Sequence, residues 1–111
     1  MMALSPIPLF LLGDDCEVRL PVESDYGGEY GEPFAMRRVR FEDSAEMARR
    51  GYVFATPAKG LLFVDAANTE NAMRLPVEAR VTVRGESMAV KKVTELKGFF
   101  GEVHHWECEV G

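Results

Sequence analysis

The residues best suited to catalysis lie close to the C-terminus, where His104 and His105 precede Cys108. A cysteine and a histidine can act together as nucleophile and base when their side chains are in contact. The surrounding residues are typical of a β-strand, in which neighbouring side chains point to opposite faces. His105 and Cys108 should therefore diverge, and so should the adjacent His104 and His105. We predict neither a thiolate–imidazole pair nor a two-histidine metal site.

Carboxylates and glycines give no stronger indication of catalysis. Asp14, Asp15, Glu42 and Asp43 form two adjacent pairs at predicted strand ends, where acidic residues usually face water or cap a turn. The glycine-rich residues 27–31 lack the Lys-Ser/Thr pair and the following helix of a phosphate-binding loop. The sequence therefore predicts no enzyme activity, no cofactor and no metal.

Three aromatic residues near the C-terminus could form a stacking surface for nucleic-acid bases: Phe99, Phe100 and Trp106. Surfaces that bind single strands combine such rings with a positively charged groove, and no basic residues are interleaved among these three. We therefore assign all three rings to the hydrophobic core.

The composition is that of one folded domain with an acidic surface. The chain has 111 residues, 47% of them hydrophobic, which suffices for a single core and is too apolar for a disordered chain. Eighteen acidic residues against thirteen basic residues give a net charge of −5. General binding to nucleic acid or to anionic membranes requires a positive excess and is not expected, although a small basic patch remains compatible with this balance.

The cysteines and the apolar segments of the sequence indicate the cellular compartment of the protein. Cys16 and Cys108 stand alone in the sequence, match no zinc spacing, and are expected to be reduced thiols of a cytosolic protein. The apolar N-terminus has no Lys or Arg before it and is interrupted by Pro6 and Pro8, so we interpret it as mature chain rather than a leader. No apolar run reaches the ~18 residues of a membrane span, which predicts a soluble protein.

The candidate side chains named above must be positioned by short strands that turn residues separate. Apolar and polar residues alternate from Cys16 to Val22, which predicts a half-buried strand, and residues 24–33 form a turn or a long hairpin loop. A second strand runs from Phe34 to Phe41, with Ala35 and Val39 on one face together with Phe41.

The same second strand carries three basic residues, Arg37, Arg38 and Arg40. We interpret them as a solvated strand edge rather than a ligand-binding patch, because charged residues on an edge prevent pairing with other chains.

Residues 42–60 are the irregular segment of the chain. Ser44, Met47 and a closing Gly51 predict one or two helical turns capped at both ends. Residues 52–56 could then pair as a short strand before Pro57. Because so short a helix has little stability of its own, we expect residues 42–59 to form a mobile loop in the isolated subunit.

The C-terminal half gives the clearest pattern. Residues 60–65 predict a central strand buried on both faces, and residues 66–79 predict a loop. Residues 79–93 predict a hairpin with its turn at residues 84–87, and residues 102–110 predict a last strand. The residues with a structural role in these elements are Val81, Val83, Gly85, Met88, Val90 and Trp106.

These elements predict a single domain over residues 1–111, mainly β: a small antiparallel β-barrel of about six strands with one short helix or irregular loop. Trp106 shares the inner face of the last strand with Cys108 and Val110 and should anchor it.

Two motifs in the C-terminal third occur in a fixed order. A hairpin carries Gly85, Met88, Val90, Lys92 and Val93, and a later strand carries His104, His105, Trp106 and Glu107. Together with the earlier runs IPLFLL, MRRVRFE and LLFVDAANT, they resemble small minor capsid proteins of tailed bacteriophages. Two departures are Met88, where an aromatic residue is commoner, and the arginine-rich strand at residues 37–40.

The resemblance is to head-closure, or stopper, proteins of the head-to-tail connector. It implies a subunit of a ring of about twelve copies. That ring would contact portal or adaptor proteins and tail proteins, in the virion neck and, during assembly, in the host cytoplasm. The family's channel loop corresponds to residues 42–60, which would project towards packaged DNA. Candidate contact residues there are Met47, Arg49, Arg50, Tyr52 and Lys59.

Two other interpretations stay open from the sequence. One is a different interaction module of SH3-like or OB-like type in a phage neck or tail. The other is an enzyme of unrecognised type, which would need a concave pocket with convergent polar groups.

Overall fold

Alternating apolar residues build six strands that close into an antiparallel barrel, as the sequence predicts. The computed structural model describes residues 5–23 and 27–111. Around the barrel the strand order is β1-β4-β5-β8-β7-β6, with β6 returning to β1. The elements are a 3-10 helix (Leu9–Leu11), β1 (Asp14–Arg19), β2 (Pro21–Val22), β3 (Glu29–Tyr30), β4 (Phe34–Asp43), α1 (Ser44–Arg49), β5 (Gly60–Asp65), β6 (Arg80–Val83), β7 (Glu86–Lys97) and β8 (Val103–Val110).

Side chains from all six barrel strands fill the interior. The core consists mainly of valine, leucine and methionine, and both cysteines lie in it as free thiols. Burial raises the pKa of Cys16 to about 12, with a contribution from Asp15, and burial also raises the pKa of Cys108 to about 12. Both thiols are therefore protonated at neutral pH and are poor nucleophiles. The predicted structural residues Val81, Val83, Met88, Val90 and Trp106 all belong to this core.

The first predicted strand divides in two. Cys16 and Val18 are buried in β1 as expected. The alternation predicted as far as Val22 is wrong, because the chain leaves the barrel after Arg19 and Val22 is exposed. Residues 21–22 pair instead with residues 29–30, and these two short strands form a separate ribbon. The predicted turn at residues 24–33 lies partly outside the described residues, since residues 24–26 are not described.

A β-bulge changes the predicted faces of β4. The pairing with β1 skips Arg38, whose backbone is left-handed at φ 62°. Met36 and Val39 consequently face the core, and Ala35 is exposed, so the prediction that placed Ala35 inward is wrong. Since β4 is bonded to β1 and to β5, its arginines do not lie on an edge, which corrects that expectation too.

The bulge is held by groups from both sides. The Arg38 N–H donates to Asp15 Oδ1 at 3.1 Å, and the Arg38 carbonyl accepts from the Thr69 hydroxyl at 2.6 Å. Both polar groups of the bulged residue are therefore satisfied, as a residue removed from the strand ladder requires.

The tight approach of β4 and β5 explains the glycine that begins β5. A Cβ at Gly60 would collide with the Phe41 ring and come within 2.7 Å of the Glu42 carbonyl oxygen.

The predicted hairpin after residue 79 is confirmed, with a shorter turn than expected. Only Arg84 and Gly85 form it, both at positive φ, and residues 86–87 already belong to β7.

Residues 42–60 contain the predicted helix but not the predicted second strand. α1 covers Ser44–Arg49, and its N-cap is Asp43, whose side chain accepts from the Ala45 N–H at 2.8 Å. Residues 52–56 do not pair as a strand; they lie across the outer surface of β8. None of the helices in the described part of the chain is long and apolar enough to span a membrane.

The two ends of the barrel differ. At the helix end, where β1 begins and β4 ends, lie the 3-10 helix, α1 and the β6–β7 turn. At the ribbon end, where β1 and β5 end, lie the β2–β3 ribbon, the loop of residues 66–79 and the tip of the β7–β8 hairpin. β7, with twelve residues, is the longest strand of the described chain.

The placement of Trp106 generates the first prediction. Its side chain is 9% exposed, lies in the core, and donates from Nε1 to Glu95 Oε1 at 3.2 Å. Replacing Trp106 with alanine should lower the free energy of unfolding by about 3–5 kcal/mol. Phe99→Ala is the control, since that ring is exposed, and it should leave the midpoint of chemical denaturation nearly unchanged. Equal midpoints for Trp106→Ala and the wild type would contradict this assignment.

Candidate interaction surfaces

The segment predicted to project into a channel is attached to the barrel by one buried carboxylate. Glu109 on β8 is 1% exposed, although its side chain points away from the barrel interior. Its Oε2 accepts from the Tyr52 hydroxyl at 3.2 Å and from the Ala55 N–H at 3.0 Å. Its Oε1 accepts from the N–H of Thr56 at 2.9 Å and from the hydroxyl of the same residue at 2.7 Å. Residues 52–56 are therefore held against β8 by hydrogen bonds to this carboxylate.

These hydrogen bonds determine the protonation of both partners. Burial alone would raise the pKa of Glu109, but the donors from Ala55, Thr56 and Tyr52 outweigh it and hold the pKa below its ordinary value of 4.5. Burial, together with the nearby Glu109 charge, raises the pKa of Tyr52 to about 12. At neutral pH the pair is thus a carboxylate that accepts a hydrogen bond from a neutral phenol.

The five candidate contact residues of this segment do not form one surface. Tyr52 contributes to the Glu109 cluster, whereas Met47 and Arg49 lie on α1 and Arg50 is its C-cap residue. Lys59 is exposed beside the β6–β7 turn and pairs with Glu86 at 2.6 Å. Residues 42–43 belong to β4 and residues 52–56 are bonded to Glu109, whereas the mobility expected of residues 42–59 in the isolated subunit stays a prediction.

The two arginines of α1 share one acidic partner. Arg49 pairs with Glu46, and Arg50 lies 3.5 Å from the other oxygen of the same carboxylate. The guanidinium groups remain largely exposed, with side-chain exposures of 70% and 56%. Glu46 neutralises only one of the two charges, so α1 presents a small positive surface on an acidic protein.

The histidines that the sequence analysis separated are in contact. The Nδ1 atoms of His104 and His105 lie 2.7 Å apart, so the expectation that the two side chains diverge is wrong. The reason is a second bulge: Val103 lies opposite Lys97, and His105 lies opposite Leu96, which leaves His104 as the additional residue. A bulge redirects side chains that an unbroken strand would alternate.

The contacts of the histidine pair are structural. His104 Nε2 donates to the Ser5 carbonyl at 2.6 Å, and His105 Nε2 lies 2.9 Å from Glu107 Oε2. Through its contact with Ser5, His104 attaches the residues that precede the 3-10 helix to β8. Among the described residues, no group of three or more His, Cys, Asp or Glu side chains is arranged to hold a metal ion.

Charged side chains also meet in a polar cleft at the helix end, where they are bonded to one another. Arg84 donates to both oxygens of Asp14 at 2.9 Å and to the Phe41 carbonyl at 3.1 Å. Burial opposes ionisation of Asp14, but the Arg84 hydrogen bonds lower the pKa of Asp14 below its ordinary value. Arg40 pairs with Glu42 in the same cleft. This arrangement fixes the β6–β7 turn to β1 and β4.

Large apolar side chains are exposed at both ends of the barrel. At the helix end, Leu9 is 50% exposed and Phe10 is 83% exposed. At the ribbon end, Phe99 is 78% exposed and Phe100 is 53% exposed at the tip of the β7–β8 hairpin. The prediction that Phe99 and Phe100 belong to the core is wrong, because the hairpin extends beyond the barrel; the same prediction is confirmed for Trp106. Adjacent exposed aromatic residues are typical of protein-binding surfaces.

The Glu109 cluster generates the second prediction. Glu109→Gln should lower the free energy of unfolding at pH 7 by about 2–3 kcal/mol. The amide nitrogen of the glutamine would face a backbone N–H group that donates to a carboxylate oxygen in the wild type, and that N–H group would lose its acceptor. Amide hydrogen exchange at Ala55 and Thr56 should accelerate while exchange in β6 stays slow. Glu17→Gln on the exposed face of β1 is the control.

The same cluster predicts a pH dependence. Because the folded pKa of Glu109 is lowered, its stabilisation is present above 4.5 and is lost as the pH falls through the folded value. The difference in stability between the wild type and Glu109→Gln should therefore shrink in acid. A difference that stays constant from pH 7 to pH 3 would show that the Glu109 charge does not stabilise the fold.

Comparison with protein families identifies the family of the chain. The family model described as minor capsid protein matches residues 8–110, which include all six barrel strands, α1 and both surfaces described above. Neither the curated proteins nor the solved structures contain a match to the chain. The family match covers almost the whole sequence rather than one motif. The chain therefore belongs to the minor capsid protein family, and the protein is a structural component of the phage particle.

Proposed function

We propose that the protein is a ring subunit of the head-to-tail connector, where it closes the DNA-filled head and provides a surface on which the tail docks. The observation that supports this most directly is the exposure of large apolar side chains at two opposite ends of one barrel. A subunit placed between two other protein layers needs one binding surface on each side. The barrel presents surfaces of this kind at both of its ends.

The polar clusters of the described residues fit a role without catalysis. Asp14 and Arg84 are bonded to each other and to a backbone carbonyl, and Glu109 is saturated by donors from residues 52–56. Both buried thiols are held in the protonated form. These groups stabilise the fold, and the family to which the chain belongs is a structural one.

The proposal places α1 on the channel side of the ring. Arg49 and Arg50 would then face packaged DNA from a subunit whose net charge is −5. An acidic channel wall repels the phosphate backbone and lets DNA slide. A few arginines near the narrowest point of the channel would bind the end of the DNA. Residues 52–56 would stay bound to β8, so any movement would be confined to residues 44–51.

The third prediction tests this function in particles. Phage that lack the gene should produce filled heads that leak DNA and tails that remain unattached, and electron microscopy should show both. A complementing copy that carries Phe99→Ser and Phe100→Ser should fold, because both rings are exposed, and yet fail to restore joined particles. Val77→Ser is the matched control, an isolated exposed apolar residue of the loop of residues 66–79.

Two results would contradict the proposal. Normal infectious particles from the deletion would show that the protein has no part in closing the head. Antibody labelling of the protein along the tail, rather than at the junction of head and tail, would support a different module of the particle.

A further inference from the structure

The barrel has one open backbone edge. β7 pairs with β6 only through residues 86–89, and Val90 then bonds to Ala79 and Glu78. Lys91 is a bulge residue; from Lys92 to Lys97, β7 pairs with β8 on one side, and within the described residues no strand or loop bonds to the backbone of its other side. An unpaired strand edge is a template on which another chain can add a strand.

This open edge is positively charged. Lys91, Lys92 and Lys97 are exposed along it, and the described residues offer no acidic partner to Lys91 or Lys92. Arg74, from the loop of residues 66–79, reaches Glu95 at 3.7 Å and adds a further cation beside the edge. On a chain with net charge −5, such a local excess of positive charge selects an acidic partner.

The chain carries a matching acidic element. The β2–β3 ribbon and its flanks, residues 20–33, contain four acidic residues and no lysine or arginine. Glu23, Glu29 and Glu32 are exposed, and none forms an ion pair within the described residues. The ribbon also leaves the outer side of β3 without a strand partner there.

Within one chain these two elements lie near each other without an ion pair. The Tyr30 hydroxyl of the ribbon donates to the Glu78 carbonyl, and the Glu78 N–H bonds to Val90, where the open edge begins. Within the described residues no ion pair joins a ribbon carboxylate to Lys91 or Lys92, so both charged surfaces are available to a second copy. Direct pairing of two β7 edges would bring the exposed lysines of both copies together, and like charges on neighbouring strands destabilise a sheet.

We propose that the acidic β2–β3 ribbon of one copy packs along the open, basic edge of β7 in the next copy. The contact joins two different surfaces of the same chain, and repetition of such a head-to-tail contact generates a closed ring when the rotation between copies is suitable. This inference rests on the proposed ring and supplies the subunit contact that would build it. The ribbon is short, so one contact is weak and isolated subunits associate only at high concentration.

The test uses charge exchange between two variants of the full chain. Lys91→Glu with Lys92→Glu should weaken self-association, measured by sedimentation at low salt, by about tenfold or more, and so should Glu29→Lys with Glu32→Lys. An equimolar mixture of the two variants should regain association, because each acidic edge then meets a basic ribbon. The wild-type association should weaken when the salt concentration rises above about 0.1 M.

A single variant of the opposite side of the barrel controls for net charge. Arg37→Glu on β4 changes the net charge by the same amount as Lys92→Glu alone, and it should associate as the wild type does while Lys92→Glu associates more weakly. Equal weakening by this control would overturn the proposal, since the effect would follow net charge alone.

Cross-linking identifies the contact directly. A carbodiimide joins a lysine to a carboxylate at zero length, and a mixture of isotopically light and heavy chains marks links between copies. The proposal expects mixed-isotope peptides that join Lys91 or Lys92 to Glu29 or Glu32. Mixed links found only elsewhere, or none at millimolar concentration, would overturn it. Labelling of particles is independent of these results, so a neck position with a different contact would reject this inference and leave the proposed function intact.

Discussion

Closure of the barrel by β1 is the constraint on which the rest of the structure depends. β1 bonds to β4 on one side and to β6 on the other, which leaves no free edge where the six strands overlap. Six short strands can close only if some of them bend sharply. β4 bends at the Arg38 bulge, and β5 begins with Gly60, where the Phe41 ring leaves no room for a side chain. β7 loses its partner on the β6 side after Val90, whereas β8 stays paired with β5 as far as His105, so only the tip of the β7–β8 hairpin projects beyond the barrel.

Two buried carboxylates attach the irregular segments to this barrel. Glu109 accepts from residues 52–56 at the helix end. Asp65 accepts from Ile7, Ala67 and Asn68 at the ribbon end, at 2.7–3.1 Å. Backbone N–H groups in irregular segments need acceptors as much as those in strands do. One carboxylate that satisfies two or three of them holds a loop without a second layer of secondary structure, which suits a domain of this size.

The sequence predicts local features of this fold well, because period-two alternation reports directly on which side chains face the core. It correctly predicts the six-strand barrel, the short helix, the hairpin of residues 79–93 and the burial of Trp106. It fails at Arg38 and His104, because each bulge depends on a partner strand that the local pattern does not contain. Burial of Glu109 is equally invisible, since alternation correctly turns that side chain outward and only a distant segment covers it.

The exposed groups that the proposals use lie at the margins of the barrel, on the 3-10 helix, α1, the β2–β3 ribbon and the β7–β8 hairpin. The ribbon is attached to the barrel by few hydrogen bonds, for example Tyr30 to Glu78 and Arg19 to Gly31. Regions with few buried contacts open at a lower free-energy cost than the core does. Docking of a neighbour can therefore rearrange these elements while the barrel stays folded. In the proposed ring, this separation between a rigid centre and adjustable contact surfaces would let the subunit adapt to a portal above and a tail below.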